Sequence, residues 1–225
     1  MALILAIETA TTNCSVALFK AGVLIAEKEH NTDGYTHAEQ LTLFIEEVVE
    51  SAKVSLQEIE AVALSKGPGS YTGLRIGTST AKGLCYALDI PLLATSTLKA
   101  MAFAMAKNHV ADIYCPMIDA RRMEVFSALF DKDNKGIRGV QADIVDEDTY
   151  AKFLDKEVLF FGDGALKCKE MINHKNAIFI KGIYPSAKDI GTLANIKFED
   201  KDFEDVAYFE PYYLKDFVAG NKKVS

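Results

Sequence analysis

Lys66-Gly67-Pro68-Gly69-Ser70-Tyr71-Thr72-Gly73-Leu74-Arg75 is the stretch of this 225-residue chain whose residue types and spacing could do chemistry. It stands between an apolar run, Ala61 to Ser65, that reads as a buried strand, and a run from Thr72 to Leu88 that reads as a helix. Gly67, Gly69 and Gly73 put few side chains over the backbone amides. They deliver those amides to the positive end of a helix, where a phosphate or carboxylate could sit. No Gly-Lys-Ser/Thr triplet follows, so the turn is not a P-loop, and the spacing is not that of a dinucleotide fingerprint. Ser70 lacks the G-x-S-x-G frame of a hydrolase nucleophile, because Thr72 occupies the place of the second glycine.

Within the helix, Gly73, Gly77, Ala81 and Cys85 recur every four residues as one smooth stripe, with Leu74 beside it. A glycine inside a helix costs about 1 kcal/mol relative to alanine, so two on one face ask for something packed tightly there. That neighbour is either the protein's own sheet or helix, or a partner subunit. The candidate interface is therefore Gly73, Leu74, Gly77, Ala81 and Cys85, with His37 on the other amphipathic helix. For that helix, Thr36 and Glu39 form a capping box ahead of Leu41, Phe44, Ile45, Val48 and Val49, which places His37 in a solvent-facing first turn. His30, His109 and His174 are scattered and read as surface residues. The acidic pairs Glu46-Glu47 and Asp131-Asp133 read as solvated.

Composition narrows the classes. Half of the chain is hydrophobic (49%) and a quarter charged (25%), which describes a globular domain large enough to bury a core. The net charge of −7 argues against tight unaided binding to nucleic acid, which rests on clustered Lys and Arg. Cys14, Cys85, Cys115 and Cys168 stand far apart with no zinc spacing and read as buried, reduced thiols. No signal peptide or membrane-length apolar run is present, so a cytoplasmic protein without membrane contact is expected.

The elements that position the glycine turn follow from the apolar pattern. Leu3 to Glu8, Cys14 to Phe19 and Val23 to Glu29 read as strands joined by hairpin turns. The helix Thr36 to Lys53, a short helix capped by Ser55 and Glu58, the strand Ala61 to Ser65, the helix Thr72 to Leu88 and the strand Leu92 to Thr95 follow. Roughly 110 residues on, the pattern returns: strands at Ile113 to Ile118, Met123 to Phe130 and near Val140 to Val145, a helix at Glu147 to Leu154, a strand at Val158 to Phe161 and a helix from Ala165. Two lobes of βββαβα topology are expected, 1–105 and 106–225, with a cleft between them. Phe209-Glu210-Pro211-Tyr212-Tyr213-Leu214 is aromatic enough to dock on the body, and Gly220 to Ser225 is expected to fray.

Two such lobes resemble the actin-like ATPase (ribonuclease H-like) fold. The wording narrows it: Ile4-Leu5-Ala6-Ile7-Glu8-Thr9-Ala10-Thr11, Gly67 to Gly77, Pro91 to Ala100, Asp119 to Val125, Gly162-Asp163-Gly164-Ala165 and Pro211-Tyr212-Tyr213-Leu214 resemble the TsaB (YeaZ) family over nearly the whole chain. Glu8 departs from the family's usual Asp. The resemblance implies a noncatalytic scaffold in making the threonylcarbamoyl modification of the adenosine next to the anticodon of certain tRNAs. It would bind a TsaD-like catalytic paralogue, work with a TsaE-like ATPase, pair with itself when alone, and meet tRNA only indirectly.

The catalytic paralogue carries a His-x-x-x-His metal pair where this chain has Thr97 and Met101, a hydroxyl and a thioether that cannot replace two imidazoles on such an ion. No metal and no cofactor is therefore expected. In ATP-using relatives each lobe's first hairpin ends in a small, glycine-bearing turn after an Asp. Lobe two here has Asp119-Ala120-Arg121-Arg122-Met123, two bulky cations and no glycine. Lobe one keeps Thr9, Thr11 and Thr12, so Thr9, Thr11, Gly67, Gly69 and Ser70 are candidate vestigial nucleotide contacts. Two alternatives remain: an active small-molecule kinase or ATPase of the same fold, and a peptidase acting on the partner.

Overall fold

The computed structural model describes residues 2–32, 34 and 36–215. The expected fray of 220–225 lies outside the described residues, as does Tyr35 of the loop after the third strand. Strands β1 (Leu3–Glu8), β2 (Asn13–Lys20), β3 (Val23–Asn31), β4 (Ala61–Ser65) and β5 (Leu92–Thr95) form one sheet in the order β3-β2-β1-β4-β5. β1 runs antiparallel to β2 and parallel to β4, which is parallel to β5. β6 (Ile113–Asp119), β7 (Glu124–Phe130), β8 (Gly136–Ile144), β9 (Val158–Phe161) and β10 (Ala177–Ile180) form the second, in the order β10-β9-β6-β7-β8. The two orders are the same topology, so the repeat read from sequence is real. β1 and β4 are continuous apolar runs because both faces of the sheet are covered, whereas β3 carries Glu27, Lys28 and Glu29 as befits an edge.

Side chains alternate across the first sheet. Ile7, Leu64 and Ala94 point to the face covered by α1 (His37–Ser51) and α2 (Tyr71–Leu88), while Ala6, Ala63 and Leu93 point to the other face. That second face is covered by α4 (Ala187–Glu199) through Ala187, Ile190 and Ala194. α3 (Thr97–Asn108) puts Leu98, Met101 and Met105 against Tyr114, Ile118, Phe130 and Leu159 of the second sheet. The lobes thus exchange helices: α3 follows the first sheet in the chain but covers the second, and α4 follows the second but covers the first.

This corrects the expected boundary. A division at 105/106 falls inside α3, and 187–215 belongs to the first lobe, where Glu204 N–H donates to Leu92 O at 2.8 Å and Phe209 is buried with α1 and α2. Docking of the aromatic terminal stretch is as expected. The expected helices at 147–154 and from 165 shrink to single turns, Ala151–Phe153 and Leu166–Cys168. Those turns cover Cys115, Met117 and Phe160 with Tyr150, Leu154 and Cys168, so few residues suffice to close that face.

Helix ends are set locally. Ser70 Oγ accepts from Gly73 N–H at 3.3 Å to start α2, Ser96 Oγ accepts from Lys99 N–H at 3.4 Å to start α3, and Asp89 in the left-handed region ends α2. Glu58 accepts from Ser55 N–H at 2.7 Å, as the second capping pattern requires. The first capping box is not made: Thr36 has no side-chain cap bond, and α1 is anchored instead by His37.

Candidate functional site

The glycine turn and the β1–β2 hairpin meet at the C-terminal ends of the parallel strands, where ligands of open α/β sheets bind. Here the chain fills that position itself. Ser70 N–H donates to Ala10 O at 2.7 Å, and a Cβ on Gly69 would stand 2.5 Å from that oxygen. Thr9 Oγ1 donates to Gly73 O at 2.8 Å, and Thr11 Oγ1 accepts weakly from Asn13 N–H at 3.4 Å. Gly67 lies at φ +104°, where a side chain is strained, and a Cβ would meet Tyr212 O at 2.8 Å. Tyr212 N–H in turn donates to Lys66 O at 2.6 Å. Thr9, Thr11, Gly67, Gly69 and Ser70, the expected vestigial nucleotide contacts, are thus each engaged in holding the chain to itself. Ser70 Oγ is engaged as the α2 cap, accepting from Gly73 N–H.

The small-residue stripe faces inward. A Cβ on Gly73 would overlap the Thr9 carbonyl oxygen, and one on Gly77 would overlap Thr9 Oγ1. Leu74, Ala81 and Cys85 are buried beside them. The neighbour that the two glycines demanded is the end of β1, so Gly73, Leu74, Gly77, Ala81 and Cys85 do not present a surface. His37 is also corrected: it is buried, with Nε2 2.7 Å from Thr11 O. Burial lowers its pKa and keeps the ring neutral, with Nε2 as the donor. The outward crest of α2 is a second set of small residues, Thr72, Ser79, Gly83 and Ala87, with nothing within 4 Å of a Cβ built on Gly83. Leu43 of α1, 54% exposed, stands on the corresponding outer face.

Beneath the hairpin, Glu8 is fully buried. Its Oε1 accepts from Ala10 N–H at 2.6 Å and Ser65 Oγ at 2.7 Å, while Oε2 has no partner. Burial pushes its pKa up to about 7, against the lowering from its hydrogen bonds. Asp189 in the first turn of α4 is likewise pushed up to about 7, chiefly by burial, and the two carboxyls oppose each other's ionisation. Between the lobes a cleft of about 370 Å³ is lined by Asn13, Glu29, Met101, Tyr184, Lys188 and Asp189 among others. Thr97 and Met101 lie one turn apart on α3, both buried, with Met101 on the cleft wall.

In lobe two, Arg121 and Arg122 are exposed with positive φ. Asp119 Oδ1 accepts from Arg121 N–H at 2.7 Å and Lys167 Nζ at 2.6 Å, while Asp163 accepts from Asp119 N–H at 3.1 Å. Gly162 presses on Met117 O of β6, and Gly164 on Asp119 N at the foot of this hairpin. All four cysteines are buried thiols. No group of three His, Cys, Asp or Glu among the described residues is arranged to hold a metal ion. Sequence reasoning missed a groove beside α2, whose signal was the spacing of Tyr71, Arg75, Lys82 and Tyr86 along one flank.

Two matched mixed sheets with helices exchanged between them define an actin-like α/β protein, one whose first hairpin is tied to the glycine turn by its own backbone. A family model described as TsaD: tRNA N6-adenosine threonylcarbamoyltransferase matches residues 34–222. The chain is 31% identical over 226 residues to the tRNA threonylcarbamoyladenosine biosynthesis protein TsaB of Escherichia coli, covering 97% of each. It is 30% identical over 219 residues to the Bacillus subtilis protein of that name, covering 94% of this chain and 93% of that one. The solved structure of YeaZ from Pseudomonas aeruginosa superposes with a TM-score of 0.78 at 26% identity, over 95% of this chain and 100% of that one. The chain belongs to the TsaB family.

Proposed function

We propose that this chain serves tRNA threonylcarbamoyladenosine synthesis as a noncatalytic cytoplasmic subunit that binds and stabilises a TsaD-like catalytic paralogue. The observation that carries this reading is the closure of the hairpin on the glycine turn, with Ser70 N–H on Ala10 O and Gly69 against Ala10. A triphosphate would have to displace bonds that hold β1 to α2. What remains for such a body is its surface. The outer faces of α1 and α2, adjoining helices with Leu43, Thr72, Ser79, Gly83 and Ala87 outward, let a partner's helices approach closely. The same faces would serve self-pairing when the paralogue is absent, and a TsaE-like ATPase would join the assembled pair.

Gly83→Leu tests the interface, because the added side chain enters open space on the isolated chain and so leaves it folded. Co-purification with the paralogue should be lost while the thermal transition of the lone subunit is retained. Retained co-purification places the interface elsewhere. Titration calorimetry with ATP and magnesium addresses the rival kinase or ATPase reading, and micromolar binding with turnover by the lone chain would replace the scaffold reading.

A further inference from the structure

The flank of α2 turned away from α1 carries Tyr71, Arg75, Ser79, Lys82 and Tyr86, residues that fall on one side of a helix and extend about 22 Å along it. The C-terminal strap, residues 207–215, runs beside this flank and adds Tyr213 and Lys215, the latter ion-paired with Glu124. Between them lies an open groove of about 570 Å³ lined by Tyr71, Arg75, Lys82, Tyr213 and Lys215, with Glu210 the one carboxylate among its described lining residues. The guanidinium of Arg75, in the groove lining, stacks 4.3 Å from the Tyr71 ring and donates from Nε to Tyr213 Oη at 3.4 Å. Lys82 Nζ pins the strap through Ala207 O and Phe209 O at 3.0 and 3.1 Å, so groove and strap are one construction. Tyr86 and Tyr208 are 87% and 85% exposed, large rings with their faces in water.

A protein of net charge −7 has set Arg75 and Lys82 with the rings of Tyr71 and Tyr213 along one channel, with Lys215, ion-paired to Glu124, at its lining and the exposed Tyr86 one turn beyond Lys82 on the same flank. We propose that this α2–strap groove binds single-stranded RNA. The Arg75 guanidinium meets phosphates and the exposed rings stack unpaired bases, the two contributions that sequence-tolerant strand binding uses. Base-paired RNA offers no such base faces. A peptide partner would call for aliphatic pockets, whereas Pro211 is the one aliphatic side chain in a lining otherwise made of hydroxyls, cations, tyrosine rings and Glu210. The inference rests on the role in tRNA modification proposed above, and it replaces the expectation of purely indirect tRNA contact with a direct contact by this subunit.

The test is fluorescence anisotropy of a labelled unpaired RNA of about 12 nucleotides, titrated with the full chain and with its complex with the paralogue, beginning near 50 mM salt. Arg75→Glu should weaken binding at least about tenfold and lower the slope of log affinity on log salt by about 0.7. Tyr86→Ala should weaken it about fivefold or more with the slope unchanged. Lys135→Glu, in the exposed turn between β7 and β8, is the control and should change neither. Wild-type chain and complex that both ignore the RNA, an affinity for the duplex form equal to that for the single strand, or Arg75→Glu and Tyr86→Ala within about twofold of wild type would each overturn the proposal. Loss of the paralogue rather than RNA by Arg75→Glu would overturn it in favour of an acidic protein partner. Failure of the wild-type chain to co-purify with the paralogue counts against the scaffold reading alone, since RNA binding by the lone chain is measured separately.

Discussion

Gly77→Ala and Gly83→Ala, two identical changes six residues apart on α2, should have opposite effects on stability. At Gly83 the new methyl meets nothing within 4 Å, so the gain is the helix propensity difference, about 1 kcal/mol in favour of alanine. At Gly77 the same gain is opposed by overlap with Thr9 Oγ1. Thr9 sits at the end of β1 and cannot retreat without giving up its 2.8 Å bond to Gly73 O, leaving buried polar groups unpaired at about 1–3 kcal/mol. Forcing a methyl into a filled space adds about 1–3 kcal/mol. The net is a loss of roughly 1–5 kcal/mol at Gly77. Gly73→Ala should lose at least as much, since its methyl meets the Thr9 carbonyl oxygen, a backbone atom.

For a chain of this size 1 kcal/mol moves the midpoint by about 2–4 °C. Gly83→Ala should therefore raise Tm by about that much, and Gly77→Ala should lower it by at least that much. Urea denaturation at unchanged slope checks that the native state is what has changed. A Gly77→Ala chain as stable as wild type, with weakened self-association or partner binding, would refute the inward packing and restore the stripe as a surface.

Glu8 binds its proton more tightly folded than unfolded, so the folded state gains protons relative to the unfolded one between about pH 4.5 and 7. Its contribution to stability is fully present below the unfolded pKa and is lost as pH rises through about 7; Asp189 acts in the same sense. Glu8→Gln should flatten that fall in urea midpoints between pH 5 and 8 and gain relative to wild type at the upper end; parallel profiles for the two chains would contradict the burial of an acid there. In lobe two, Asp143 accepts from Arg138 Nη2 at 2.6 Å, Ser127 Oγ at 2.5 Å and Tyr150 Oη at 2.7 Å, all largely buried. Asp143→Ala leaves the Arg138 charge unpaired and should cost about 3–5 kcal/mol, whereas a loss under about 1 kcal/mol in chemical denaturation would show the site to be wet.

Apolar runs bounded by turn residues placed β1, β4, β5 and β9 at or within a residue of their ends, because a strand buried on both faces has a composition no loop shares. The same local pattern revealed the repeat of sheet topology and the stripe on α2. Sequence established that something must pack tightly against Gly73 and Gly77. The identity of that neighbour, Thr9, is a contact across more than sixty residues, and periodicity holds no information about what lies opposite a face. His37 was misplaced for the same reason, since its acceptor is Thr11 O on a hairpin 26 residues away.

α3 escaped notice because it is apolar on more than one face, with Leu98 and Met101 on the second sheet and Ala100 on the side of the first. The exchange of α3 and α4 between lobes has no local signature at all. The sequence by itself determined most of the strands, the helices α1 and α2, the repeat of the two sheets and that the glycine turn is no P-loop. Only the tertiary structure decided which faces were consumed inside and which were left outside, because burial is a property of the pair of surfaces that meet and each sequence window holds only one of them.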